Sequence, residues 1–199
     1  MFLSKFIIDR HNPSARQALI NVQDFHRNLM KRFQSSRQDA GVLYRLDLSK
    51  RDPVVYVLSK VEPQNTGQKD MHLEKSRQMD QIILSMINGR RFGFDIFVIP
   101  SKKVAVEGKK NSKRITLTTE SERLEWFQKK ALQYGFQVLS IQELNEVNTY
   151  GRHGSNSMLL KGYHYQGQLL IEDEEKFRLA YCEGIGPDKA YGFGMLLLL

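Results

Sequence analysis

The strongest constraint on this chain is the way its apolar positions change period along the first half. Phe2, Leu3, Phe6, Ile7 and Ile8 predict a strand, partly alternating and partly continuous. Asn12-Pro13 then predicts a helix start, with asparagine as N-cap and proline at the first helical position. From there Ala15, Leu19, Val22, Phe25, Leu29 and Phe33 keep the three-to-four spacing of one buried helical face. After Gly41, residues 42–48 alternate and residues 53–59 form a second apolar run, with Ser49 to Asp52 suited to a hairpin turn. Val61 to Lys69 is polar and predicts a loop, while Met79, Ile82, Ile83 and Met86 predict a helix over 71–87. Phe92 to Ile99 predicts a strand stopped by Pro100.

Strand, helix, two strands, helix and strand in succession are the ferredoxin-like arrangement. It predicts an N-terminal unit over 1–100. Residues 101–115 read as an irregular basic linker. Residues 116–199 read as a second unit of the same kind. Thr119-Glu120-Ser121-Glu122 is a capping box, and the helix behind it ends near Gly135. Residues 136–141 predict a strand, 145–156 a loop, and 158–165 and 167–171 two further strands. A helix from Glu174, a glycine-rich loop and an apolar tail follow. The predicted class is α+β, with tandem ferredoxin-like (RRM-like) βαββαβ domains. Fold alone assigns no function. Arg90 to Phe97 approaches an RNA-binding strand motif, but Arg91 replaces its glycine and Asp95 its valine, so the match is read as coincidence.

The partner is indicated by charge. A formal charge of +8 and a pI near 9.5 suit a polyanion. Cys182 is the single cysteine, which excludes an internal disulfide and a cysteine-rich zinc site. The histidines at 11, 26, 72, 153 and 164 contain no H-x-x-x-H pair, so neither metal nor other cofactor is expected. No apolar run is long enough for a membrane helix, and the N-terminus lacks a signal peptide's apolar core. A cytoplasmic protein without a membrane partner is expected.

The tail reads Gly184-Ile185-Gly186-Pro187-Asp188-Lys189-Ala190-Tyr191-Gly192-Phe193-Gly194. Its order is helix, loop, strand, the reverse of the common nucleotide-binding loops. Gly186, Gly192 and Gly194 either allow a tight turn or let backbone N–H groups meet a phosphate, with Lys189 at the tip. Lys102, Lys103, Lys109, Lys110, Lys113 and Arg114 form a solvated or phosphate-contacting run, and Arg152 and Lys161 add candidates further on. His26 sits one position off the apolar line, at the edge between core and solvent, near Arg27 and Lys31. It is either a satisfied edge side chain or a general acid or base facing a groove.

Several stretches together resemble the CasE family, the CRISPR-associated endoribonucleases that process precursor RNA in type I-E Cascade systems. They are Asn12-Pro13-Ser14-Ala15-Arg16, Asp24-Phe25-His26-Arg27, Thr118-Thr119 through Glu125-Trp126-Phe127, Tyr165-Gln166-Gly167-Gln168-Leu169, and the glycine-rich tail to Leu196. The resemblance implies metal-independent cleavage at the base of a CRISPR repeat hairpin. It also implies retention of the product crRNA with other Cascade subunits. The family's catalytic histidine maps onto His26. A tyrosine often stands one helical turn before it, and here that position is Gln23. Glutamine can hydrogen-bond a phosphoryl oxygen but cannot exchange a proton at neutral pH. The departure keeps a second reading open, a non-catalytic RNA-binding subunit of a ribonucleoprotein with the same fold. In the catalytic reading Lys31 or Arg27 stabilises the charge on the phosphorane.

Overall fold

A computed structural model of the chain describes residues 1–67, 69–105, 112–153 and 156–199. In chain order its elements begin with β1 (Phe2–Ile8), α1 (Pro13–Ile20), α2 (Val22–Met30), α3 (Arg37–Ala40), β2 (Leu43–Asp47) and β3 (Val54–Ser59). Next come β4 (Met71–Gln78), α4 (Asp80–Leu84), β5 (Arg91–Val98), β6 (Ser101–Val104) and β7 (Lys113–Thr116). The chain closes with α5 (Glu120–Gln133), β8 (Phe136–His153), β9 (Asn156–Ile171), α6 (Glu174–Glu183), a 3-10 turn at Lys189–Tyr191 and β10 (Leu196–Leu198). Two four-stranded sheets run in the orders β2-β3-β1-β4 and β10-β5-β9-β8, and β6 pairs with β7 alone. All the pairings are antiparallel. Both orders are those of a ferredoxin-like sheet, so the molecule is a tandem of that fold.

Four expectations are corrected. The single helix to Phe33 is two helices, because Asn21 adopts an extended backbone (φ −125, ψ 108) and serves as C-cap of α1 and N-cap of α2. The apolar spacing runs through Asn21 without a break, so periodicity could not reveal it. Residues 71–78 form the edge strand β4, paired to β1 only, and just Asp80–Leu84 is helical. Its sequence, MHLEKSRQ, carries the charge that keeps an exposed edge from pairing with other chains. The basic linker contributes two strands, β6 and β7, paired antiparallel to each other. Of the predicted loop at 145–156, residues 145–153 and Asn156 belong to the long antiparallel pair β8 and β9, which register shifts at Val138/Ser140 and Glu143/Asn145 bend. One consequence touches the division of the chain. The strand expected to finish the first unit, β5, pairs with β9 and β10, so sheet membership divides the chain before Arg91 rather than after Pro100.

Two cores follow from the alternation of strand side chains. Phe6, Ile8, Phe25, Leu29, Tyr44, Val55 and Val57 fill the space between α1–α2 and the first sheet. Phe94, Ile96, Phe127, Phe136, Tyr165, Leu169 and Phe177 fill that between α5–α6 and the second. Leu43 and Leu58, on the other face of the first sheet, join the second core with Tyr181, Ile185 and Met195. The β3 strand is therefore buried on both faces, which explains its near-continuous apolar run VVYVLS. This arrangement sets the glycine-rich loop between the two units.

Candidate active site and nucleic-acid interface

His26 lies in the second turn of α2 and is half-buried. Its ring stacks on that of Tyr44, with centroids 6.2 Å apart and planes 21° from parallel. Tyr44, from β2, is 1% exposed, and its hydroxyl donates to the Ala190 carbonyl at 3.0 Å. The helix bearing the histidine therefore meets the glycine-rich loop through one tyrosine. Asn21 fixes the start of that helix. Its Oδ1 accepts from Gln23 N–H at 3.2 Å and from Arg152 N–H at 3.0 Å, and its Nδ2 donates to Asp24 at 2.8 Å and to the Arg152 carbonyl at 3.2 Å. One side chain thus caps α2 and pins the outer end of β8 against it.

The other α2 candidates diverge. Gln23 is half-buried one turn before His26. Arg27 is exposed and pairs with Asp24 at 3.0 Å. Lys31 caps the C-terminal end of α2, and its Nζ donates to Asn28 at 3.1 Å. It lines a hollow of about 470 Å³ with Asp24, Asn28, Lys69 and Asp70, which His26 does not line.

On the far side of the glycine-rich loop the β6–β7 pair gathers positive charge. Lys103, Arg114 and Lys161 line a hollow of about 450 Å³ with Asp188. Lys103 and Arg114 also line an adjoining notch with Trp126, Lys130, Tyr134 and Gly186. Lys161 pairs with Glu146 at 2.7 Å, and both are about half exposed. Lys102 approaches Glu122 of the α5 capping box at 3.5 Å, outside both hollows. Lys113 is exposed, and Lys189 is half-buried in the 3-10 turn. Lys109 and Lys110 lie outside the described residues.

The glycines of the loop meet protein. Gly192 has φ +90, and a Cβ there would sit 3.2 Å from the Tyr44 ring. At Gly194, with φ +84, a Cβ would fall 2.6 Å from the Ile185 carbonyl oxygen, and its N–H donates to Phe97 O. The left-handed backbone and these close approaches account for both residues as turn formers. Gly186 faces Trp126, 3.1 Å from where a Cβ would lie.

Sequence reasoning missed a buried network between the two sheets. Arg45 from β2 donates to Asp95 from β5. Asp95 also accepts from Gln166 at 2.6 Å, and His164 Nε2 lies 2.9 Å from it. The Arg45 guanidinium lies over the Phe97 ring at 3.8 Å. Burial pushes the Asp95 carboxyl up, but the hydrogen bonds from Arg45 and Gln166 and the charge of Arg45 outweigh it and hold it below the usual range. These groups line a cleft of about 810 Å³ that Tyr44, Tyr150 and Gly192 also border. No local signal in the sequence joins Arg45 to Asp95, because the contact depends on how the sheets pack. Among the described residues no three acidic, histidine or cysteine side chains gather as a metal site, and no helix is long and apolar enough to cross a membrane.

Residues 1–199 match the model of a family described as CRISPR associated protein. The chain is 24% identical to the CRISPR-associated endoribonuclease Cse3 of Thermus thermophilus, covering 98% of both chains. A structure of the CRISPR endoribonuclease Cse3 bound to a 19 nt RNA superposes with a TM-score of 0.87 at 25% identity, covering 100% of each chain. The CRISPR-associated protein Cas6e from Escherichia coli str. K-12 superposes with a TM-score of 0.78 at 25% identity, over 100% of this chain and 98% of that one.

Proposed function

The chain belongs to the family of CRISPR-associated proteins, and on that premise we propose that it is an endoribonuclease that cuts CRISPR precursor RNA at the base of the repeat hairpin. It keeps the crRNA product within Cascade and works in the cytoplasm without a metal. The observation that carries this reading is the setting of His26, half-buried beside the glycine-rich loop instead of sealed in a core. RNA supplies its own nucleophile, the 2′-hydroxyl next to the scissile phosphate. Attack on phosphorus forms a 2′,3′-cyclic phosphate and releases the 5′-oxygen as a hydroxyl once it gains a proton. An imidazole with its ordinary pKa near 6.5 exchanges either proton at neutral pH. Gln23 donates a hydrogen bond to a phosphoryl oxygen, and Arg27, Lys31 and Lys189 supply positive charge for the phosphorane. Arg27 and Lys31 are exposed on flexible stems, which suits rearrangement around an incoming phosphate.

The stem is held by shape and phosphates, since A-form RNA hides its base edges in a deep major groove. Lys103, Arg114 and Lys161 form the principal phosphate contacts, with Lys102, Lys113 and Arg152 at the margins. The test is cleavage of a repeat hairpin by His26→Ala, with end-group analysis of the wild-type products in EDTA. Abolished cleavage with unchanged hairpin affinity, and wild-type products in EDTA ending in 2′,3′-cyclic phosphate and 5′-hydroxyl, support the assignment. Wild-type cleavage by the variant overturns the assignment of His26, whereas no cleavage by the wild-type protein itself leaves the chain an RNA-binding subunit, the reading that Gln23 favours. A magnesium-dependent 3′-hydroxyl product refutes the mechanism.

A further inference from the structure

We propose that Tyr44 is the positioning residue for His26: its ring sets the plane of the imidazole, and its hydroxyl ties that ring to the glycine-rich loop. The inference rests on the assignment of His26 as the proton-transfer group. A histidine's χ2 torsion is broad, so a helix alone leaves its ring plane poorly fixed. Proton transfer is sensitive to that plane, and a displacement of about 1 Å can cost about a hundredfold in rate. A near-parallel ring beside the imidazole, 21° off with centroids 6.2 Å apart, restricts that freedom.

Tyr44 is itself immobilised on several sides. It is 1% exposed, with Phe25 against it at 5.5 Å and 45°. Gly192 leaves room for its ring, since a Cβ there would press on it at 3.2 Å. The hydroxyl is bonded to Ala190 O at 3.0 Å. A buried tyrosine must place its hydroxyl on a partner, and here that partner is the backbone of the loop. Engaged in this way, the hydroxyl acts through His26 instead of on the RNA. Gly192 gains a reason of its own, which is to admit the tyrosine that steadies the histidine.

Tyr44→Met fills similar space without a planar face, and Tyr44→Phe keeps the face without the hydroxyl. Both are assayed for single-turnover cleavage and hairpin Kd, beside His26→Ala alone and combined with Tyr44→Met. We expect Tyr44→Met to reduce the rate about a hundredfold with Kd unchanged. Tyr44→Phe restores most of that rate, and Tyr44→Met adds nothing to the residual rate of His26→Ala. A destabilised fold would instead weaken binding and slow cleavage together, whether or not His26 is present. If Tyr44→Met does not fold, Phe25→Leu loosens the tyrosine from its other flank, and the same drop in rate at constant Kd is required. Wild-type rates in the folded variant, or equal reductions for Met and Phe, overturn the proposal. Wild-type cleavage by His26→Ala overturns the catalytic assignment and this inference with it. Inactive His26→Ala beside fully active Tyr44 variants removes this inference alone.

Discussion

Asp188 is the described non-glycine residue with a left-handed backbone, at φ +57. Aspartate tolerates that region better than most residues. Its carboxyl shares a hollow with Lys103, Arg114 and Lys161, so it places a negative charge among groups proposed to meet phosphate. Burial pushes its pKa up, and the charge of Arg114 offsets only part of the shift. Ionisation is thus less favourable in the folded state than in the unfolded chain, and it costs stability. The cost is absent below the unfolded carboxylate pKa of about 4 and grows as pH rises through the folded value. Asp188→Asn removes it and suits the same backbone. The variant should melt higher than the parent at neutral pH and equally in acid, and should bind the hairpin more tightly. Thermal melts across pH, with one hairpin titration, check both. At this scale the sequence was legible where a residue departed from its own pattern. His26 stood out by lying off the apolar line, whereas Tyr44 looked like any inward residue of a strand. The link from Tyr44 to His26 and Ala190 joins three separate segments, and only packing reveals it.

Among the elements, the β6–β7 pair has the clearest consequence. Lys103 and Arg114 are paired across it and share a hollow with Lys161, while Lys102 lies beside Glu122. Neutralising a phosphate releases counterions, so each phosphate left without its cation flattens the log K against log salt line by roughly 0.7 to 0.9. Replacing Lys103, Arg114 and Lys161 by alanine should therefore weaken hairpin binding and reduce the slope, with Lys102→Ala, a marginal contact, having a smaller effect. Filter binding over a salt series measures both quantities, and an unchanged slope would remove the strand pair from the RNA path. The pair was not legible because its strands are short and basic, with an unhelpful composition. β4 was hidden for a related reason, as an edge strand rich in helix-forming residues. Where local chemistry was decisive, sequence and structure agree. The Thr119 capping box closes reciprocally with Glu122, and Gly135 ends α5 with φ +78.

For the whole molecule, the Arg45–Asp95 pair is the polar joint between the two sheets. Removing one partner strands the other in a buried position, which costs about 3–5 kcal/mol. Asp95→Ala should lower the unfolding free energy by that order in urea titrations. The depressed pKa of Asp95 means its contribution is present above the unfolded value near 4 and disappears as pH falls through the folded one. Parent and variant should consequently converge in acid, and a constant gap would dissociate the joint from Asp95's charge. The tandem architecture was legible because each ferredoxin-like unit leaves its own periodicities. The assignment of β5 was not, since a buried strand looks alike in either sheet and only its partners decide.

Trp126 is the one tryptophan of the chain, and it rests on Gly186 in the notch that Lys103 and Arg114 share. Light absorbed at the red edge of the protein band is therefore re-emitted from a single address, between the basic strand pair and the glycine-rich loop. No dye has to be attached to watch that junction. A stopped-flow trace of native emission follows the loop in real time, and a separate gel assay of the same mixture follows the cut strand.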